Sequence, residues 1–307
     1  MEPGSTVSAV RSRRVLCGTE IRPALIVIKE GKIHKILSVS SGSTGDTAAG
    51  CEVLDVGDSL VMPGIVDCHV HVNEPGRTTW EGFWTATRAA AAGGVTTIVD
   101  MPLNSIPPTT TLDNFHEKMA AASGKCFVDT AFWGGVIPGN QLELLPMIQA
   151  GVAGFKCFLI HSGVEEFPHV TDEDLHITMK QLQGTGSVLL EQLWSALKAG
   201  QIDMVVSDHS PCTPDLKRLD SGDFTQAWGG ISSLQFGLSL FWTSASKKGF
   251  TLPDVVRLLC QRTAQLCRLD NQKGSLVPGH DADLVIWDPE KEFEASITVE
   301  GFTKTKN

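Results

Sequence analysis

No tyrosine occurs among the 307 residues, and the one account of that absence is that segments of sequence are missing. No apolar run approaches the roughly 18 to 20 residues that a membrane span needs, so no transmembrane helix is expected. The first residues hold no apolar signal core. Arg11, Arg13 and Arg14 hint weakly at a targeting peptide, but read better as exposed positions of a strand whose Val15 and Leu16 turn inward. The cytoplasm is therefore the expected compartment, with peroxisome or mitochondrion left open and unsignalled. Positive charge is scarce: 25 Lys and Arg stand against 35 Asp and Glu, a formal charge of -10. Nucleic acid and anionic membranes both need clustered Lys and Arg, so neither is an expected partner. None of the eight Cys forms a Cys-x-x-Cys pair, and several lie in apolar segments, which favours buried reduced thiols over a disulfide framework. With 42% hydrophobic and 20% charged residues, the composition is that of a soluble globular chain with one large core and room for a smaller satellite domain.

What is present is organised around Pro63-Gly64-Ile65-Val66-Asp67-Cys68-His69-Val70-His71-Val72. The run reads as a buried strand, and residues two apart on a strand point to one side, so His69 and His71 share a face. Two neutral imidazoles on one rigid strand make half of a metal site. The competing reading, a pair of core histidines, is weakened by the second His, the preceding Pro-Gly turn and Asp67 in the same run.

Residues 7–62 read as short strands, with a hairpin over Ala24–Ile28 and Ile33–Leu37 and an exposed Ser/Gly/Thr loop over Ser40–Gly50. Beyond Met62 the pattern alternates. A helix over 79–92, a strand Val95–Met101, a helix over 111–122, a strand Val128–Val136, a helix over 141–150 and a strand Gly154–Ile160 follow in turn. Thr171, with Asp174 three residues on, then caps a further helix. Residues 252–268 form an amphipathic helix with Val256, Leu259, Thr263 and Leu266 on one face and Arg257, Gln261, Gln265 and Arg268 on the other. Alternation of this kind implies an α/β fold with a parallel sheet covered by helices, and metal ligands at the carboxyl ends of several strands favour a (β/α)8 TIM-type barrel.

Lys156 falls inside an apolar strand, where an ammonium has to be neutralised, paired or chemically changed, unless its stem snorkels to the sheet edge. Asp208 stands where Met204-Val205-Val206 gives way to a Pro-bearing loop. An acid there can ligate a metal and move a proton, or simply cap the next helix. His209 alternates to the other face, as supporting structure or as a substrate contact.

The run from Val61 to Arg77 resembles the opening metal motif of the cyclic amidohydrolases, the group of dihydroorotases, hydantoinases and allantoinases. Met101-Pro102-Leu103-Asn104-Ser105 and Val206-Ser207-Asp208-His209-Ser210-Pro211-Cys212 resemble the allantoinases in particular. Pro278-Gly279-His280-Asp281-Ala282-Asp283 is similar to the point where such chains return to a small β domain. The resemblance implies a division into 1–62 (N-terminal part of that domain), 63–272 (the barrel) and 273–307 (the return), the small domain being a β-sandwich built from both termini. It implies two zinc ions per subunit, Lys156 carbamylated and bridging them, His69, His71, Lys156 and Asp208 as metal ligands, and a homotetramer. It implies further that Asp208 carries the proton while a metal-activated hydroxide opens the cyclic amide of allantoin to allantoate, in purine catabolism. Asn104 becomes a candidate hydrogen-bond partner for this small-molecule substrate, although a loop-stabilising role is nearly as good a reading.

The chain departs from the family pattern in one respect. Such sites take one further His from each of strands five and six, and no strand-borne His is found for either. Lys156 and Asp208 lie 52 positions apart, whereas three intervening strands with their crossovers would need on the order of 120 residues. An incomplete barrel is therefore expected, with an internal deletion near 190/191, where a strand at Ser187–Leu190 runs straight into a helix. The return after Glu294 is expected to be truncated. His161 and His169, in the loop after Lys156, are poor replacements. One zinc or none is then expected, and the alternatives are a catalytically impaired shortened variant acting as an interaction or regulatory protein, or a dihydroorotase- or hydantoinase-like enzyme.

Overall fold

The computed structural model describes residues 8–39, 52–181, 197–200, 202–222 and 225–293. The first strands, β1 (Ala9–Cys17), β2 (Glu20–Lys29) and β3 (Lys32–Ser38), run antiparallel in chain order. The β2–β3 turn is Glu30-Gly31 with both residues left-handed, at φ 53° and 73°, the backbone twist that a two-residue hairpin turn needs. β4 (Val53–Asp55) and β5 (Leu60–Pro63) lie parallel to β1, and β11 (Leu284–Trp287) closes the far edge antiparallel to β5. This mixed six-stranded sheet thus joins residues that precede Gly64 to a segment more than two hundred positions later. Val15, Ile26, Ile33 and Val61 are fully buried on it, packed with Leu276. A bulge in β1 is closed by Ser12, whose hydroxyl accepts from the Arg14 amide (2.8 Å) and donates to the Ser59 carbonyl (2.6 Å).

Gly64 carries the chain from the small sheet into β6 (Ile65–Val70), the expected His strand. A Cβ at Gly64 would lie 2.0 Å from Thr96 Oγ1, so only glycine lets the two strands approach. β6, β7 (Val95–Asp100) and β8 (Asp129–Phe132) form a parallel sheet in that order, followed by a parallel pair, β9 (Gly134–Gly135) and β10 (Phe155–Lys156). On its other side β6 meets the 204–209 segment, where Val70 pairs in parallel with His209.

Helices α1 (Phe83–Ala92), α2 (Leu112–Ala122), α3 (Leu144–Ala150) and α4 (Asp172–Gln181) fill the crossovers, and α5 (Gly237–Ser246), α6 (Leu252–Val256) and α7 (Arg262–Leu266) follow. Their starts have local causes. The Thr111 hydroxyl accepts from Asn114 N, and Thr171 with Asp174, like Thr251 with Asp254, closes a reciprocal capping box. Phe83, Phe115 and Phe132 meet edge to face at 5.8–6.0 Å between α1, α2 and the sheet, each contact worth about 0.5–1.5 kcal/mol beyond its buried area. Every cysteine among the described residues is a free thiol, and Cys68, Cys260 and Cys267 are buried.

Four expectations need correction. The helix expected from 79 begins at Phe83, because Gly82 has φ 99° and Glu74 takes the Phe83 amide at 2.9 Å in place of a helical carbonyl. The strand expected over 128–136 breaks at Trp133, whose indole N–H donates to the Cys68 carbonyl at 2.8 Å. The strand expected over 154–160 is only Phe155–Lys156. The helix expected over 252–268 ends at Leu266 and contains a π turn, Arg257–Gln261. Its apolar face is nonetheless as read, with Val256, Leu259 and Thr263 buried, although the wider turn leaves Leu266 half-buried. The strand-to-helix junction expected at 187–194 and the loop over Ser40–Gly50 lie outside the described residues.

Candidate metal centre

Strand β6 delivers His69, and His71 follows one residue beyond its end, so the period of two puts both rings on one face with centroids 5.4 Å apart. Asp208 comes to them from the opposite flank. Its Oδ1 lies 3.3 Å from His69 Nε2 and 3.7 Å from His71 Nε2, and one ligand atom from each of the three residues falls within 4.8 Å of the others. Lys156, at the carboxyl end of β10, brings Nζ to 3.4 Å from His69 Nε2. Asn104 stands beside His71 Nδ1 at 3.3 Å. All five side chains line one cavity of about 720 Å³, with Phe158, Val164 and Trp228 among its walls.

Burial pushes His69 down to about 3, helped by the Lys156 charge, and holds His71 well below its usual value for the same two reasons. Both imidazoles are therefore neutral at physiological pH, with a lone pair each to offer. Burial also lowers the Lys156 ammonium, opposed by Asp208, and raises the Asp208 carboxyl, opposed by Lys156. The Asp208 side chain is still 70% exposed, because it hangs into the cavity mouth from a backbone held at φ 47°. Two neutral imidazoles and one carboxylate facing a common point are a donor set suited to one divalent cation.

Several of the partnerships that set this geometry escaped the sequence reading. Asp67 is buried and accepts from His69 N (3.2 Å) and Ser207 N (3.3 Å), tying the His strand to the Asp208 segment. His209, read as support or substrate contact, is support. Its carbonyl accepts from His71 N at 2.7 Å, and its Nδ1 accepts from Ser233 N at 3.1 Å and Leu234 N at 3.3 Å. That leaves the proton on Nε2, 3.1 Å from Glu81 Oε2. Asp100 accepts from Val72 N at 2.8 Å and from Lys118 Nζ at 2.6 Å. The signal for all of these was a polar residue inside an apolar run; nothing in the order of residues says which partner satisfies it. His161 and His169 are exposed, and neither lines the cavity. Asp129, Asp281 and Asp283 also converge, but Lys273 already sits among them, 3.0 Å from Asp281 and 2.8 Å from Asp283. The ammonium pairs with all three carboxylates and clasps the C-terminal segment to β8.

Two histidines on one face at the end of a strand, met by an aspartate from the adjoining segment and a lysine at the carboxyl end of a second strand, are the donor arrangement of a metal-dependent hydrolase. The model of the amidohydrolase family matches residues 60–184 and 168–306. Among curated relatives, the mitochondrial allantoinase of Aquarana catesbeiana is 46% identical over 376 aligned positions, covering 87% of this chain and 77% of its own. The allantoinase of Streptomyces avermitilis is 36% identical (92% and 86% covered), and that of Saccharomyces cerevisiae 33% (94% and 88%). Among solved structures, an L-hydantoinase (dihydropyrimidinase) from Arthrobacter aurescens superposes with a TM-score of 0.78 at 26% identity, covering 90% of this chain and 86% of its own. The chain belongs to the amidohydrolase family and, within it, to the allantoinases. Its barrel-type fold agrees with that membership.

Proposed function

We propose that the protein hydrolyses the cyclic amide of allantoin to allantoate at the centre formed by His69, His71, Lys156 and Asp208. The observation that carries this reading is the convergence of two neutral imidazoles, a carboxylate and a lysine on one cavity, in a chain whose curated relatives are allantoinases. Zinc suits the donors, with His69, His71 and Asp208 holding it. Lys156 would complete the set as a carbamate, and its lowered pKa supplies the free amine that CO2 uptake requires. When bound, such a cation polarises a carbonyl and lowers the pKa of water. Asp208, raised above the usual carboxylate range, is suited to take a proton and return it to the departing ring nitrogen. Phe158, Val164 and Trp228 give the ring an apolar wall to lie against, and Asn104 closes the wall beside His71.

We infer further that the barrel is incomplete. The match to the Aquarana catesbeiana relative spans 376 aligned positions, more than the 307 residues of this chain, so it runs across positions that this chain does not have. The family model matches in two overlapping pieces that meet at 168–184, and among the described residues no strand pairs with the free edge of β10. On this reading the division is 1–62, 63–272 and 273–307, with a small β-sandwich from the two termini. The two-metal arrangement and tetramer of the family are then not expected to survive intact. One zinc or none per chain, and turnover several orders of magnitude below that of a full-length relative, is the outcome it supports. The same alignment length favours the second reading, a shortened variant whose role is interaction rather than turnover. Metal content per chain on monodisperse protein, paired with an allantoin hydrolysis assay, decides between them. Two zinc ions with brisk turnover would refute the incomplete barrel, and one zinc with no ring opening would favour the second reading.

A further inference from the structure

We propose that Asn104 is a positioning residue for His71, selecting the imidazole tautomer that can face a cation; this rests on the metal reading above. His71 directs Nε2 toward Asp208, at 3.7 Å, and its Nδ1 lies 3.3 Å from the Asn104 amide nitrogen. A neutral imidazole offers a lone pair at only one nitrogen, so Nε2 can meet a cation only when Nδ1 carries the proton, and that proton then needs an acceptor. The Asn104 side chain is the hydrogen-bonding group placed at Nδ1. As the amide stands, its NH2 meets Nδ1, which puts the imidazole proton on Nε2 and closes that nitrogen to a cation. Turning the same amide about its Cβ–Cγ–axis torsion exchanges nitrogen for oxygen, and Nδ1–H then has its acceptor. One residue therefore serves both tautomers, and the open form goes with a bound cation.

The rest of Asn104 is held for this purpose. It is 6% exposed, its backbone carbonyl accepts from Arg77 Nη1 at 3.2 Å, and Arg77 is in turn paired with Glu166 at 2.5 Å. Its backbone lies at φ 66°, a left-handed region that Gly, Asn and Asp adopt more readily than other residues. That conformation aims the short side chain at the imidazole and dictates the choice of variants. Asn104→Gly removes the acceptor without straining the backbone. Asn104→Asp keeps an acceptor and loses the donor.

The test is zinc affinity of the native chain and both variants by competition with a chromophoric chelator, with long-range 1H–15N spectra of histidine-labelled protein to read the His71 tautomer. The native chain should show Nδ1–H once zinc is added. Asn104→Gly should bind zinc about ten- to a hundredfold more weakly, whereas Asn104→Asp should bind as tightly as the native chain and hold Nδ1–H even without zinc. Equal affinity of native and Gly forms, or equal losses in the Gly and Asp forms, would overturn the role of Asn104 while leaving the metal centre standing. A native chain that takes up no zinc would overturn the metal reading and this inference together.

Discussion

Replacing Lys118 by Met should cost the protein a large part of its folding margin, and the loss should depend on pH in a direction that the structure fixes. Lys118 on α2 and Asp100 at the end of β7 are each 1% exposed and pair at 2.6 Å. Lys118 also donates to the Met101 carbonyl at 3.0 Å, and Asp100 takes the Val72 amide at 2.8 Å. Removing the ammonium strands a carboxylate in the interior, at a cost of about 3–5 kcal/mol, against a typical total stability of about 5–15 kcal/mol. Burial already raises the Asp100 pKa, with Lys118 opposing it. Without Lys118 the folded pKa lies further above the unfolded value, so the folded variant binds a proton that its unfolded chain lacks. Its deficit relative to the native protein is then largest near pH 7 and shrinks on acidification, by up to about 1.4 kcal/mol per pH unit. Urea unfolding of both proteins at pH 7 and pH 5.5 measures this. A deficit under about 1 kcal/mol at pH 7, or one that grows as pH falls, would refute the reasoning.

Metal-free protein should lose stability as pH falls below about 6.5, because the folded state keeps His69 and His71 neutral while the unfolded chain protonates them. The slope is up to about 1.4 kcal/mol per pH unit for each ring; thermal unfolding between pH 7.5 and 5 checks it, and a flat profile counts against two neutral histidines. Lys156→Ala is expected to lose its metal, with short carboxylates added to the buffer restoring part of it in place of a carbamate. Unchanged metal content in that variant removes Lys156 from the site. Gly64→Ala should destabilise by about 1–3 kcal/mol through its clash with Thr96, and a denaturant midpoint equal to the native one would show that β6 and β7 have slack at that point.

The elements that carry the site were legible wherever a periodic signal coincided with a chemical one. His69 and His71 needed only the period of a strand, and Thr171 announced its helix through capping chemistry, whereas the equivalent caps at Thr111 and Thr251 emerged only in the structure. Lys156 was legible as an anomaly, but its surroundings were not: the apolar run continues to Ile160, while the strand stops at Lys156 and leaves Leu159 and Ile160 exposed. The π turn at Arg257–Gln261 left no periodic signal, and the segment that packs on it was equally hidden: a Cβ at Gly274 would meet the Cys260 carbonyl at 2.5 Å. Long-range polar partners such as Asp67 with Ser207 and Asp100 with Lys118 were hidden for the same reason. Their sequence separations are 140 and 18, and hydrophobic pattern says nothing about either.

The four proposed ligands are not held equally, and that inequality bears on which half of the centre would persist if the barrel is incomplete, as proposed above. β6 is flanked on both sides, by β7 through a parallel ladder and by the Asp208 segment through Val70 and His209. His71 N donates to the His209 carbonyl, Asp67 grips Ser207, and Asp100 holds Val72, so His69, His71 and Asp208 are tied to one another without help from the residues between β10 and 197. Lys156 has a narrower hold. Its strand is two residues long and, among the described residues, pairs with β9 alone, through Phe155↔Gly134 and Lys156↔Gly135, with Val136 N donating to the Lys156 carbonyl at 2.9 Å. If the missing ligands belonged to strands beyond β10, their loss bares the edge next to Lys156 and leaves the trio on the opposite side undisturbed. The affinity of the surviving site should then be governed by how firmly β10 is placed rather than by the histidine pair, and tightening β10 is the change expected to raise it.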